Sequence, residues 1–209
     1  MNKKIILIAL FLMALFGCNF NKNKAFDCGT VKDNVYTNTY FNIEFKLPEK
    51  WVVQSKEQIE YIKEVSKDFL DNDSKKILEA GKVKSANLLI AYKHELGSAV
   101  DFNPSFSFLT ENLKRTPGIK TGKDYLFHAR KLLKYNKLNY KIDKKLKSLS
   151  LSNKKFYIMH CECNVLGMNV IQEYISTVHK KFALNFVITY LRKEDKDLLI
   201  NCLKKIKFN

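Results

Sequence analysis

Cysteine and histidine are the residues in this chain best equipped for chemistry, and their spacing limits what that chemistry can be. The run His160-Cys161-Glu162-Cys163 sets four potential metal ligands side by side. A zinc site needs about four nitrogen or sulfur ligands converging from one side. The residues around this run alternate as in a strand, whose successive side chains point to opposite faces. His160 and Glu162 then share one face and Cys161 and Cys163 the other, which divides the ligand set, so no metal and no cofactor is expected. A redox Cys-x-Cys needs a thiolate held by nearby cations, and Glu162 between the two thiols works against that. The segment "GIKTGKD", from Gly118 to Asp124, is one residue too short between its glycines for a phosphate loop, and Asp124 stands where a magnesium-binding hydroxyl would be required. Its simpler reading is a turn with Thr121 capping the next helix. His94-Glu95 lacks the second histidine of a zinc protease, and no Gly-x-Ser-x-Gly elbow occurs. His94, His128, His160 and His179 are read as ordinary polar histidines and the lone Trp51 as a core anchor. No catalytic residue is expected.

Cys18 is different because of what precedes it. Two lysines, Lys3 and Lys4, are followed by "IILIALFLMALFG" from Ile5 to Gly17, thirteen residues without a charge. As a helix these span about 20 Å, short of a bilayer core of about 30 Å, so the segment reads as a secretory signal rather than a membrane span. Its ending, Leu15-Phe16-Gly17-Cys18, resembles the lipobox of bacterial lipoproteins, with Phe16 departing from the small residue usual there. That resemblance implies a diacylglycerol on the Cys18 thiol, cleavage just before it, and further acyl chains such as palmitate on the new terminus. Acyl chains contribute roughly 0.8 kcal/mol per buried CH₂, so several together anchor a domain stably. Residues 1–17 are therefore expected to be a signal peptide, and residues 18–34, rich in Asn and Lys, a lipidated flexible tether. Residues 35–209 suit one domain with a real core.

The chain carries 37 Lys and Arg against 21 Asp and Glu, a formal net charge of +16. Arginine occurs only at Arg115, Arg130 and Arg192, which argues against sequence-specific nucleic-acid binding, where the bidentate guanidinium is favoured. A generic solvated lysine surface is the first reading and weak attraction to anionic lipid or envelope polymers the second. Cys28, Cys161, Cys163 and Cys202 remain after lipidation. Cys161 and Cys163 are poorly placed to bond each other. Cys202 lies on the apolar stripe Leu198, Leu199, Leu203, Ile206, so a bridge to a strand cysteine and free buried thiols both stay open.

The elements that must position these residues follow from periodicity. Tyr40–Leu47 alternates as a half-buried strand ended by Pro48, and Ser55–Leu78 carries apolar residues at helical spacing. Ala86–His94 and Ser105–Leu113 read as strands, and Lys123–Lys134 as a helix. Strands are expected in Leu138–Ile142, Lys145–Ser150, Phe156–Val165, Met168–Thr177 and Phe182–Tyr190, then a helix over Glu194–Ile206. Hairpins in succession with a few helices call for an α+β fold, helices covering a mainly antiparallel sheet.

The segment "YTNTYFNIEFKLPEKW", Tyr36 to Trp51, resembles the opening of PsbP-like domains, with its alternating strand and Leu-Pro-x-x-Trp, although Phe41-Asn42 stands where glycine is common. The order of elements downstream is similar over nearly the whole chain. The resemblance implies an α/β/α sandwich around a central antiparallel sheet and brings no catalytic residues, since such domains serve mainly as binding or assembly modules. The expected function is that of a lipid-anchored, extracytoplasmic, non-enzymatic binding or accessory module in the bacterial cell envelope, with an envelope protein as partner. An adaptor or chaperone for apolar segments, and an envelope hydrolase, are the alternatives.

Overall fold

The computed structural model describes residues 27–66, 85–134 and 138–209. The expected signal peptide, Cys18 and the first part of the tether lie outside them, as does the end of the helix expected over Ser55–Leu78.

Two antiparallel sheets form. The small one has the order β1-β2-β3-β12, built from Thr30–Lys32, Val35–Asn38, Ile43–Lys46 and Lys207–Phe208. The large one has the order β4-β5-β6-β11-β10-β9-β7, from Val52–Val53, Ser85–Tyr92, Ser105–Asn112, Phe182–Tyr190, Met168–His179, Lys154–Val165 and Lys141–Ile142, with β8 (Lys147–Leu151) also paired to β9. The helices described are α1 (Lys56–Ser66), α2 (Gly122–Lys134) and α3 (Lys193–Lys204).

Central β11, "FALNFVITY", is buried along its whole length because both its faces are covered. Phe182, Leu184, Phe186, Ile188 and Tyr190 meet Phe41, Ile43 and Phe45 of the small sheet and Leu199 and Leu203 of α3. Ala183 and Val187 face the other way, toward Ile62 of α1 and Leu126, Ala129 and Leu133 of α2. Phe186 stacks on Phe108 at 4.4 Å between ring centroids. The small sheet and α3 thus cover one face of the large sheet, and α1 and α2 the other.

Local chemistry sets the helix starts. Ser55 Oγ accepts from the Gln58 amide at 3.2 Å while Gln58 Oε1 accepts from the Ser55 amide at 2.7 Å, a capping box. Thr121 caps α2 in the same way, its Oγ1 accepting from the Asp124 amide at 3.2 Å and Asp124 Oδ2 accepting from the Thr121 amide at 2.9 Å. Gly122 is required for packing, since a Cβ there would sit 2.0 Å from the Ser176 carbonyl oxygen.

The fold begins earlier than a tether over residues 18–34 would allow. Asp27 Oδ1 accepts from the Gly29 amide at 2.8 Å, its Oδ2 from the Thr39 hydroxyl at 2.9 Å, and Tyr36 OH donates to the Cys28 carbonyl at 2.8 Å. Thr30–Lys32 then pairs with Val35–Thr37, so residues 27–34 belong to the small sheet.

Candidate functional site

Strand alternation divides "HCEC" as the sequence implies. Cys161 is fully buried on the α2 face, packed in the same cluster as Leu126 and Ala129. His160 and Glu162 lie on the opposite face, where α3 begins. The register of β9 on β10 sets His160 directly across from Glu173 and Glu162 across from Ile171, close enough for side chains to meet.

Glu173 is 2 % exposed, so its charge must be compensated within the protein. Its Oε1 accepts from Tyr190 OH at 3.1 Å and from Lys196 Nζ at 2.5 Å, and lies 3.3 Å from His160 Nδ1. Lys196 comes from the first turn of α3 and passes over the Tyr190 ring on its way down. The second imidazole nitrogen, Nε2, is 3.2 Å from Glu162 Oε1. The His160 bond, reinforced by Lys141 at 3.7 Å, holds the Glu162 carboxyl below the usual carboxylate range. The histidine is therefore flanked by two carboxylates, and a neutral ring donates to one of them in either tautomer.

One residue along α3, Asp195 is also 2 % exposed. It receives Lys93 Nζ from the end of β5 at 2.5 Å and Arg192 Nε at 3.4 Å. Two buried carboxylates, one on the sheet and one on the helix, thus pin the start of α3 in opposite senses. Paired buried charges of this kind fix geometry more than they add stability. Chemically the cluster is a chain of hydrogen-bonding groups running from Glu162 through His160 to Glu173. Among the described residues no serine, threonine or cysteine is hydrogen-bonded to His160, and no group of three His, Cys, Asp or Glu converges as a metal site.

The other face carries a polar network of its own. Gln172 Oε1 accepts from Tyr174 OH at 2.7 Å and Tyr140 OH at 2.8 Å, while its Nε2 donates to Thr189 Oγ1 at 3.2 Å. Burial pushes the Cys163 thiol up to about 11, the Tyr140 hydroxyl working the other way, and the Cys161 thiol higher still. Neither has the thiolate character that redox or nucleophilic work requires.

The described cysteines Cys28, Cys161, Cys163 and Cys202 are all free. Cys202 sits on α3, across the large sheet from Cys161, which removes the bridge left open by the sequence. Trp51 is buried in the main core. Among the described residues no helix is long and apolar enough to cross a membrane. Glu173, Tyr190 and Lys196 were not singled out by sequence reasoning. The available signal was a glutamate in the middle of "NVIQEYISTVH", a strand otherwise suited to burial.

No family model and no curated protein matches the chain. Among solved structures, the solution structure of cyanobacterial PsbP (CyanoP) from Synechocystis sp. PCC 6803 is similar over 92% of this chain and 98% of that one, with 8% sequence identity and a TM-score of 0.50. LpqN of Mycobacterium tuberculosis, described as involved in cell envelope biogenesis, matches over 79% of this chain and 82% of its own, with 10% identity and a TM-score of 0.40. The CyanoP likeness shows the fold: α+β, with helices packed on a mainly antiparallel sheet in the PsbP-like arrangement.

Proposed function

We propose that this protein is an extracytoplasmic lipoprotein of the bacterial envelope, held to a membrane by acyl chains on Cys18, whose PsbP-like domain acts as a non-enzymatic binding or accessory module. The observation that carries the reading is the charge-free run Ile5–Gly17 followed by Cys18. The ionic clusters support the non-enzymatic part. Glu173 and Asp195 are each engaged by cations and hydrogen-bond donors from neighbouring elements, as expected of groups that hold a helix in place rather than await a substrate.

The test is metabolic labelling with radioactive palmitate, followed by membrane fractionation, for the native chain and Cys18→Ser. The native protein should incorporate label and shorten by its leader. Cys18→Ser should lose both. A native chain that takes up no label, or a Cys18→Ser variant that is still cleaved and membrane-bound, would overturn the assignment. Copurification of the anchored protein at physiological and high salt then identifies the partner, since a specific contact survives screening and a purely ionic one does not.

A further inference from the structure

The strand registers bring several loops to one end of the molecule. His179 pairs with Phe182, which closes the β10–β11 hairpin at Lys180-Lys181, and Phe182 pairs with Asn112, which brings Lys114 and Arg115 alongside. Leu151 pairs with Lys154, and Tyr157 with Ser176, so the β8–β9 turn with Lys154 and Lys155 lies at this end too. Lys180 Nζ donates to the Tyr40 carbonyl at 2.5 Å, and Asp27 Oδ2 accepts from the Tyr40 amide at 3.3 Å. Asp27, the first described residue, is therefore at the same end.

Lys114, Arg115, Lys154, Lys155, Lys180 and Lys181 at this end outnumber the neighbouring acids, Asp27, Glu44, Glu111 and Asp124. Asp27 accepts from Gly29 and Thr39, Glu44 pairs with Lys207, Glu111 accepts from Tyr125 OH, and Asp124 caps α2. Exposed acids such as Glu49, Glu95, Asp101 and Glu194 lie toward the opposite end.

The β10–β11 turn adds a second, independent observation. Lys180 and Lys181 both have positive φ, 50° and 63°. A two-residue hairpin turn of that geometry favours Asn-Gly, and lysine is disfavoured there. Two lysines in a turn that favours Asn-Gly place two charges side by side at its tip. Tyr40, 45 % exposed, sits beneath Lys180, its ring 5.7 Å from the ammonium, a pairing suited to a membrane interface, where an apolar ring and a polar head meet different surroundings.

Covalent geometry limits where this end can be. Residues 19–26, including Lys22 and Lys24, separate Cys18 from Asp27 and span at most about 30 Å even when fully extended. We propose that the lysine-rich end is a docking surface for anionic phospholipid headgroups of the membrane holding Cys18, so that the domain stands on its β10–β11 turn with the His160–Glu173 cluster directed outward. This rests on the lipid-anchor reading above.

The test uses the full lipidated protein on vesicles of phosphatidylcholine alone or mixed with phosphatidylglycerol, at low and high salt, with lysine acetylation read by mass spectrometry. Lys154, Lys155, Lys180 and Lys181 should react severalfold more slowly on the anionic vesicles at low salt only, while Lys50 and Lys193 stay unchanged. The variant Lys180→Asn/Lys181→Gly suits the turn, so it should keep or raise thermal stability, yet the docking equilibrium should weaken by about fivefold per charge removed and the protection of Lys154 and Lys155 should be lost. Protein that floats with both kinds of vesicle but shows equal lysine reactivity on them would overturn the docking surface and leave the anchor standing. Protein that fails to float with neutral vesicles would overturn the anchor, while salt-labile flotation with anionic vesicles would still support docking. Protection by soluble polyphosphate without protection on vesicles would refute the lipid assignment.

Discussion

Replacing Glu173 with leucine tests whether the charge cluster under α3 is a structural pin. Glu173 is 2 % exposed and meets Tyr190 OH, Lys196 and His160. After Glu173→Leu, Lys196, which is partly exposed, can turn toward water, and His160 keeps Glu162. Tyr190 OH has no such escape, and a buried unsatisfied hydroxyl costs about 1–3 kcal/mol. Adding the lost charge-assisted bonds, the change should destabilise by about 2–4 kcal/mol, near the range for breaking a buried ion pair. Glu173→Gln keeps an acceptor for Tyr190 and should cost about half as much. The triple variant Glu173→Leu/Tyr190→Phe/Lys196→Met also removes the tyrosine hydroxyl and the lysine ammonium, while His160 keeps Glu162, and should recover most of the loss, because apolar replacement of a buried ion pair is often close to neutral. Guanidinium unfolding followed by the fluorescence of buried Trp51 and by circular dichroism reads all three. A cost below about 0.5 kcal/mol for Glu173→Leu, or a triple variant less stable than the single, would refute the pin.

Four further outcomes follow from the same structure. Thr121→Ala removes the α2 cap and should cost about 1 kcal/mol, lowering the melting temperature by about 2–4 °C. Gly122→Ala drives a Cβ against the Ser176 carbonyl, backbone against backbone, and should cost about 3 kcal/mol or leave the chain insoluble on expression. Burial, with Lys154 and Lys180 beside it, holds the His179 imidazole below its ordinary value, the Phe41 carbonyl working the other way; the unfolded chain then binds more protons just below pH 6.5, so stability falls as pH drops through that window, and His179→Gln should flatten the slope of the unfolding midpoint. Burial raises the Cys161 and Cys163 thiols, so both should resist Ellman's reagent until the protein is unfolded, and rapid labelling of either in the native state would contradict their packing.

Strand alternation made much of the large sheet legible. β9, β10 and β11 have apolar residues at period two and turn residues between them, so their positions and the opposed faces of His160 and Cys161 could be read without coordinates. Thr121 was legible as a cap because its partner Asp124 is three residues away. The start of the small sheet was not. "TVKDNVYTN" is short and polar, and what fixes it is the contact of Asp27 with Thr39 and Tyr40 and of Tyr36 with Cys28, which depends on folding rather than local propensity. The Glu173 cluster was hidden for a related reason. His160, Glu173, Tyr190 and Lys196 come from three strands and a helix, and the register that unites them is a property of the pairing. The relation of Cys202 to the strand cysteines turned on which face α3 covers, a question of chain topology that periodicity leaves open.

α3 runs between the two ends of the molecule. At its start, Asp195 and Lys196 tie the helix to Lys93 on β5 and Glu173 on β10. Its apolar stripe, Leu199 and Leu203, then rests in the main core. At its far end Lys205 and Ile206 close back on the last turn, and Lys207–Phe208 pairs with β3. That pairing brings Lys207 to Glu44 and the Asn209 amide to the Asn42 carbonyl, beside the lysine-rich turns. Hydrophobic packing alone is tolerant of a helix that slides or rotates along its stripe, because burial is non-directional. Buried ion pairs are not, since each loses its compensation when the partner moves. The ion pairs therefore hold the start of α3 against the large sheet, and the strand that follows the helix closes the small sheet at the other end.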